Sequence, residues 1–214
     1  MRNTVAFLAC FLVVIPAIGV ARGVSGEFDY YVLSLSWSPQ YCASQTQQAS
    51  AEQCGADKHY GFILHGLWPE YEIGWPEYCD ALPQDVPQEI VDRILPITPA
   101  SSLIEHEWDK HGKCSGLTVE DYFAAGETTF FEINTPHRME KAKRPFSMTR
   151  KRLIRAILSA NPQLDPAGIV LACRGKLLSE IRVCYGKDFQ AIRCSDDLIA
   201  SQCKKANLKI LAIP

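Results

Sequence analysis

The chain has 214 residues, 47% of them apolar, with 22 Lys and Arg against 24 Asp and Glu for a formal charge of −2. That length allows one domain or at most two, and the apolar share is ample for a core. The balance excludes a protein that grips polyanions by net charge alone, which would be basic, and no segment after the first 20 residues could span a membrane.

The start reads as a leader. Arg2 gives a thin positive beginning, and Val5 to Val20 is an apolar run of 16 residues interrupted by Pro16. This is shorter than the ~20 residues a spanning helix needs. Small residues then suit signal-peptidase cleavage between Ala21 and Gly26. Residues 1–26 are therefore set aside as a signal peptide, and 27–214 are taken as a single domain. Cys10 leaves with the leader. Eight cysteines stay: Cys42, Cys54, Cys79, Cys114, Cys173, Cys184, Cys194 and Cys203. An even number in an exported chain reads as disulfides. No C-x-x-C pair supports a zinc ribbon. The expected location is secreted or periplasmic.

Phe28 to Trp37 is rich in aromatic and β-branched residues and predicts a strand. Ser38 to Gly61 is polar and predicts a loop pinned by Cys42 and Cys54. Tyr60 to Leu67 predicts a second strand that carries His65, with Gly66 permitting close backbone approach and Pro69 stopping the strand. An irregular loop, Glu70 to Cys79, follows with Tyr71, Trp75 and Tyr78. Val86 to Leu95 predicts a helix bounded by Pro83, Pro87 and Pro96.

The densest chemistry lies in Ser102 to Cys114. Ser102 and Glu105 are spaced as a capping box, and Gly112 is placed to close the helix in the left-handed conformation. Between them stand Glu105, His106, Glu107, Lys110 and His111. Four-residue spacing makes Glu107 and His111 neighbours on the face that Ile104 and Trp108 share, and makes His106 and Lys110 a second pair. Zinc would want His-Glu-x-x-His. Here the histidines are five apart and point away from each other, so no metal or other cofactor is expected. Imidazoles that titrate near neutrality suit acid–base work instead.

Thr118 and Asp121 predict a cap that opens a helix through about Phe131, and Ser147 or Thr149 opens another through Leu158, ended by Asn161-Pro162. From Arg138 to Arg155 there are eight Lys or Arg against Glu140 alone, which reads equally as a phosphate-tracking strip or as a solvated helix face plus a loop. Gly168 to Cys173, Glu180 to Tyr185 and Phe189 to Cys194 predict short strands. Helices and strands mix without βαβ alternation, so the class is α+β.

His65-Gly66-Leu67-Trp68-Pro69 followed by His106-Glu107-Trp108-x-Lys110-His111-Gly112-x-Cys114 resembles the paired active-site segments of the ribonuclease T2 family. The resemblance extends to Tyr31–Cys42 and the Cys-rich end, over most of residues 28 to 203. It implies a central antiparallel sheet flanked by helices and disulfides Cys79–Cys114, Cys184–Cys194 and Cys173–Cys203, leaving Cys42–Cys54. It also implies His111 as general base, His65 as general acid, His106 on phosphate, and Glu107 and Lys110 supporting the pentacoordinate state. The residues themselves place a carboxylate beside His111 but do not decide which histidine is acid. The expected substrate is single-stranded RNA, cut through a 2′,3′-cyclic phosphate to a 3′-phosphate with little base specificity. DNA lacks the attacking 2′-hydroxyl and is expected to be inert. Base stacking falls to Trp68 and Trp75, with Glu70 on a base edge. The mature chain is expected to be a monomer without membrane attachment. Two other readings stand beside this one: a binding protein on the same fold without catalysis, and a zinc hydrolase on the His106/His111 helix.

Overall fold

The computed structural model describes residues 23–45, 51–80 and 84–214. The leader, apart from residues 23–26, lies outside them, as does Pro83. Strand β1 (Tyr30–Trp37) is buried along nearly its whole length because it sits between two partners. One is β2 (Phe62–Glu70), at the sheet edge, and the other is β5 (Leu177–Tyr185). All three run antiparallel. β4 (Ile169–Arg174) forms a hairpin with β5 through a turn at Gly175, whose φ of +62° favours glycine. Two four-residue strands, β3 (Phe146–Thr149) and β6 (Asn207–Ile210), complete the sheet. β6 meets β5 in a parallel pairing, Leu177 with Lys209.

Several expectations need correction. β2 does not stop at Pro69, which pairs with Tyr31. As an edge strand β2 can do without one ladder donor. The Ser38–Gly61 loop holds two helices, α1 (Ser38–Ser44) and α2 (Ala51–Cys54), joined by the Cys42–Cys54 disulfide. Pro39 sits in the first turn of α1, where its missing N–H is harmless. Phe189 to Cys194 is not a strand. Its ladder pairing among the described residues stops at an isolated Tyr185–Ala191 bridge, and Phe189 has φ of 59° and stacks on Tyr31 at 5.3 Å. β3 and β6 lie outside the predicted strands.

α3 (Gln88–Ile94) starts two residues later than predicted, with Pro87 at its N-cap. α4 (Ser101–Lys110) has Ala100 as its N-cap, with no side-chain cap bond, so the Ser102/Glu105 capping box is absent. Nor does Gly112 take a left-handed conformation. It opens a 3₁₀ turn, Gly112–Cys114, and a Cβ there would lie 2.3 Å from the Trp108 ring. Glycine is needed for close packing rather than for a turn. α5 (Val119–Phe131) has the predicted cap, with Thr118 Oγ1 accepting from the Asp121 N–H. α6 (His137–Glu140) leads to β3, and Thr149 caps α7 (Arg150–Ala160), which buries Leu153 and Ile157. α8 (Asp196–Ala200) precedes β6.

The main core lies on the sheet face where Leu33, Leu35, Leu64, Leu67, Ile181 and Val183 meet Ile104, Trp108 and Tyr122. Tyr30, Val32, Trp68 and Cys184 form a smaller cluster on the other face. Disulfides join Cys42–Cys54, Cys79–Cys114, Cys173–Cys203 and Cys184–Cys194, the same four pairs that the resemblance implies. Among the described residues no helix is long and apolar enough to cross a membrane.

Candidate active site

His65 is the odd residue of a β-bulge. Gly66 pairs with Ser34 and Leu64 with Leu35, so His65 has no opposite number on β1. A bulge re-aims the side chain it carries, and this one puts the imidazole among three oxygen groups. Its Nδ1 lies 3.2 Å from Glu180 Oε1 and 3.3 Å from Ser36 Oγ. Its Nε2 lies 3.5 Å from Glu107 Oε1. Burial works against the charged ring, but Glu180 and Glu107 outweigh it, and the pKa of His65 is raised.

Glu107 comes from α4 and is almost fully buried. Its Oε2 accepts a 2.7 Å hydrogen bond from Trp68 Nε1. A Cβ on Gly66 would stand 2.0 Å from that oxygen, so only glycine lets the carboxylate lie against β2. Burial raises the Glu107 pKa, while His65 and the Trp68 N–H oppose the rise. Glu107 thus serves His65, not the imidazole four residues on that its spacing predicts. His111 is the C-cap of α4, with φ of −117°, and is already turned out of the helix. Its ring stacks on Trp68 at 5.2 Å, and its Nδ1 is buried without a partner. Burial, then Lys110 and the other two imidazoles, push its pKa down to about 3.

His106 stands exposed on α4, its pKa lowered by partial burial and by Lys110. Lys110 Nζ is 3.6 Å from Glu77 Oε2. The Cys79–Cys114 disulfide and the 2.9 Å bond from Tyr78 N–H to Lys110 C=O tie the preceding loop to this helix end. Trp75 is 56% exposed, whereas Trp68 is only 9% exposed, with its ring faces taken by His111 and by Arg182 at 5.1 Å. The free aromatic face is that of Trp75. Burial lifts Glu70 to a pKa of about 8 against the pull of Arg182.

All eight residues singled out in the two motifs and the loop line one cavity of about 260 Å³, together with Glu180 and Arg182. Those two are absent from the sequence reading. Arg182 donates to Glu180 Oε2 from Nε at 2.9 Å and from Nη2 at 2.7 Å, and the paired carboxylate is held at a pKa of about 2: burial opposes the drop, and His65 and Arg182 outweigh it. Their only sequence signal is charge two residues apart in an apolar strand, which puts both on one face. A second cavity of about 470 Å³ adjoins the first through His65 and His106 and reaches Tyr41, Gln53 and Leu103. Among the described residues no three His, Cys, Asp or Glu converge as a ligand set for a metal.

An α+β fold that sets imidazoles from a bulged strand and a helix around one polar cavity has the groups that general acid–base chemistry requires. The model of the Ribonuclease T2 family matches residues 28–194, and the chain belongs to that family. It is 34% identical over 189 residues to a ribonuclease of Aeromonas hydrophila, covering 83% of this chain and 81% of that one. It is 28% identical over 199 residues to ribonuclease DdI of Dictyostelium discoideum, covering 83% and 82%. Among solved structures, the S-like ribonuclease trichomaglin superposes with a TM-score of 0.70 at 24% identity, over 88% of this chain and all of that one. An RNase-related protein from Calystegia sepium superposes with a TM-score of 0.68 at 23% identity, over 88% and 98%. The chain is a T2-type ribonuclease, and RNA is its substrate.

Proposed function

We propose that the mature chain is an exported, metal-independent endoribonuclease that cuts single-stranded RNA by transesterification. The leader 1–26 is removed on export, and the remainder acts as one catalytic domain. The observation that carries the mechanism is the opposite electrostatic setting of two imidazoles on one cavity. His65 is held toward its charged form by two carboxylates, and His111 is held neutral by burial and nearby cations. A neutral imidazole accepts the proton of the 2′-hydroxyl, and a charged one donates to the leaving 5′-oxygen. His106 and Lys110 neutralise the phosphate oxygens, and Glu107 supports the pentacoordinate state. The first step leaves a 2′,3′-cyclic phosphate, and slower hydrolysis leaves a 3′-phosphate. Trp75 offers a base a stacking face that does not discriminate, and Glu70 meets a base edge.

Homopolymeric RNAs in excess EDTA test this, beside single-stranded DNA and the His65→Ala variant. Cyclic phosphate ends from RNA alone, made by the wild type and not by the variant, are expected. No cleavage at any pH from about 4 to 8, where imidazoles and raised carboxylates titrate, would overturn it.

A further inference from the structure

The small net charge hides a strong separation. Residues 138–155, 174–176 and 204–209 hold eight, two and three Lys or Arg, 13 of the chain's 22, with one acid, Glu140, of its 24. Everything else holds nine cations and 23 acids. The fold gathers the three segments into one body. β3 pairs with β6 from Phe146–Ile210 to Thr149–Asn207. The Arg150 N–H donates to Ala206 C=O at 2.8 Å, the Lys209 N–H to Lys176 C=O at 2.7 Å, and the Ile213 N–H to Ala142 C=O at 2.9 Å. Among the described residues no ion pair joins any of these thirteen cations to a carboxylate.

This body adjoins the catalytic cavity. Leu208 and Ile210 point into the main core, so Lys209 points to the other face of the sheet, the one that carries Glu180 and Arg182. Lys209 is opposite Leu177 on β5, and Glu180 is three residues further along. At ~3.3 Å per residue that is about 10 Å.

We infer that the β3–β6 body is a phosphate-binding surface for single-stranded RNA, engaging the chain several nucleotides from the bond that is cut. The inference rests on the reading of the cavity as an RNA-cleaving site. RNA fits better than a lipid surface, because the large exposed apolar residues Val24, Ile73, Trp75, Tyr78 and Phe131 all lie outside the body. A helix or ribbon that docks on a bilayer needs apolar side chains to bury. The acid-rich remainder repels a polyanion, which confines it to the cavity and this adjoining surface. Binding by charge alone holds the backbone without reading sequence.

The test compares wild type with the quadruple variant Lys176→Gln, Lys204→Gln, Lys205→Gln, Lys209→Gln, and with a control, Lys58→Gln, Arg193→Gln. Each is assayed on an RNA of roughly 30 nucleotides and on a dinucleoside phosphate across salt concentrations. Every lysine–phosphate ion pair removed should flatten the plot of log kcat/KM against log salt by about 0.7, so the quadruple variant should flatten it by about 2–3 on the long RNA. The control should leave it unchanged, and neither should alter cleavage of the dinucleoside phosphate. An unaltered slope for the quadruple variant would overturn the inference, as would an equal loss on both substrates. Loss of binding to anionic phospholipid vesicles with an unaltered RNA slope would assign the surface to a membrane and also overturn it. A wild type that cuts neither substrate would refute the catalytic reading instead. The surface would then still be tested by anisotropy of a labelled long RNA with the same variants.

Discussion

Glu180→Gln is the sharpest test of how the cavity is organised. Glu180 lines the cavity, but both of its carboxylate oxygens are engaged by His65 and Arg182, so we treat it as a positioning residue that acts through His65. Its Oε1 lies 3.2 Å from His65 Nδ1, and its Oε2 is fixed by two donors of Arg182. A charged carboxylate there keeps the proton on Nδ1 when the ring is neutral, leaving Nε2 for the proposed proton transfer, and it stabilises the charged ring. Gln keeps the shape and removes the charge. Hydrogen bonds to charged groups contribute about 1.5–3 kcal/mol, so kcat/KM should fall about ten- to a hundredfold. The pH profile carries more information. In the proposed mechanism His65 is the general acid and works while protonated, so activity should be lost as pH rises through the His65 pKa. That pKa is raised in the wild type, where the carboxylates outweigh desolvation of the buried ring. Removing the larger of the two raising contributions moves the alkaline limb to lower pH, by about one unit for each ~1.4 kcal/mol lost. The assay is kcat/KM on a dinucleoside phosphate from pH 4 to 9, with thermal unfolding as the check on folding. A slower enzyme whose alkaline limb stays in place would show that Glu180 is only structural and would refute the reasoning.

Three further perturbations probe other parts of the site. Gly66→Ala sets a methyl 2.0 Å from Glu107 Oε2 and 2.5 Å from Trp68 Nε1. Overpacking of this kind costs about 1–3 kcal/mol, so calorimetry should show Tm lower by roughly 2–12 °C, with kcat falling further than KM changes. Removing Cys79–Cys114 as a double Ala variant frees a crosslink across 35 residues. That should lower stability in urea by about 4 kcal/mol and loosen Lys110 and His111, so an unchanged kcat would count against the clamp. Glu70 titrates at about 8 because it is buried. Its folded pKa lies above the unfolded value, so it makes stability decline as pH rises from near 4.5 through 8, and Glu70→Gln should make the decline in Tm shallower, with Glu107 and His65 contributing what remains. The same variant should leave relative rates on the four homopolymers unchanged at pH 6, where the wild-type carboxyl is protonated, and alter them at pH 9.

The two motifs are legible in the sequence because each is contiguous and its spacing defines local geometry. What lies opposite each motif is not. The 107/111 spacing puts a carboxylate and an imidazole on one helix face, yet the partner of Glu107 is set by the bulge on β2, and no helix periodicity contains that information. Glu180 and Arg182 are hidden for a similar reason, since their role depends on the pairing of β1 with β5. β3 and β6 are four residues each, too short for alternation to stand out, and their backbone partners come from each other and, for β6, from the start of β5. Phe189–Cys194 has the composition of a strand, but the left-handed backbone at Phe189 breaks the pleat. Gly112 reads as a turn glycine, and only the packed position of Trp108 shows that space is the constraint. The disulfide pairs are accessible through family resemblance and not from spacing.

The bulge has a sequence signature that regular strand alternation conceals. Leu64 and Leu67 are three residues apart, yet both are buried in the same core opposite Leu35 and Leu33. His65 and Trp68 are also three apart, and both line the cavity. On a regular strand, residues three apart point to opposite faces. One inserted residue between the pairs 64/35 and 66/34 lets both conditions hold. Leu64 still anchors the strand in the core, His65 turns toward Glu107 and Glu180, Gly66 makes room for the Glu107 carboxylate, and Leu67 and Trp68 resume normal alternation. A single added residue in β2 thus joins the core of the fold to the proposed acid–base pair, drawn from two separate elements, and an apolar spacing of three within a strand-like run is the mark to look for.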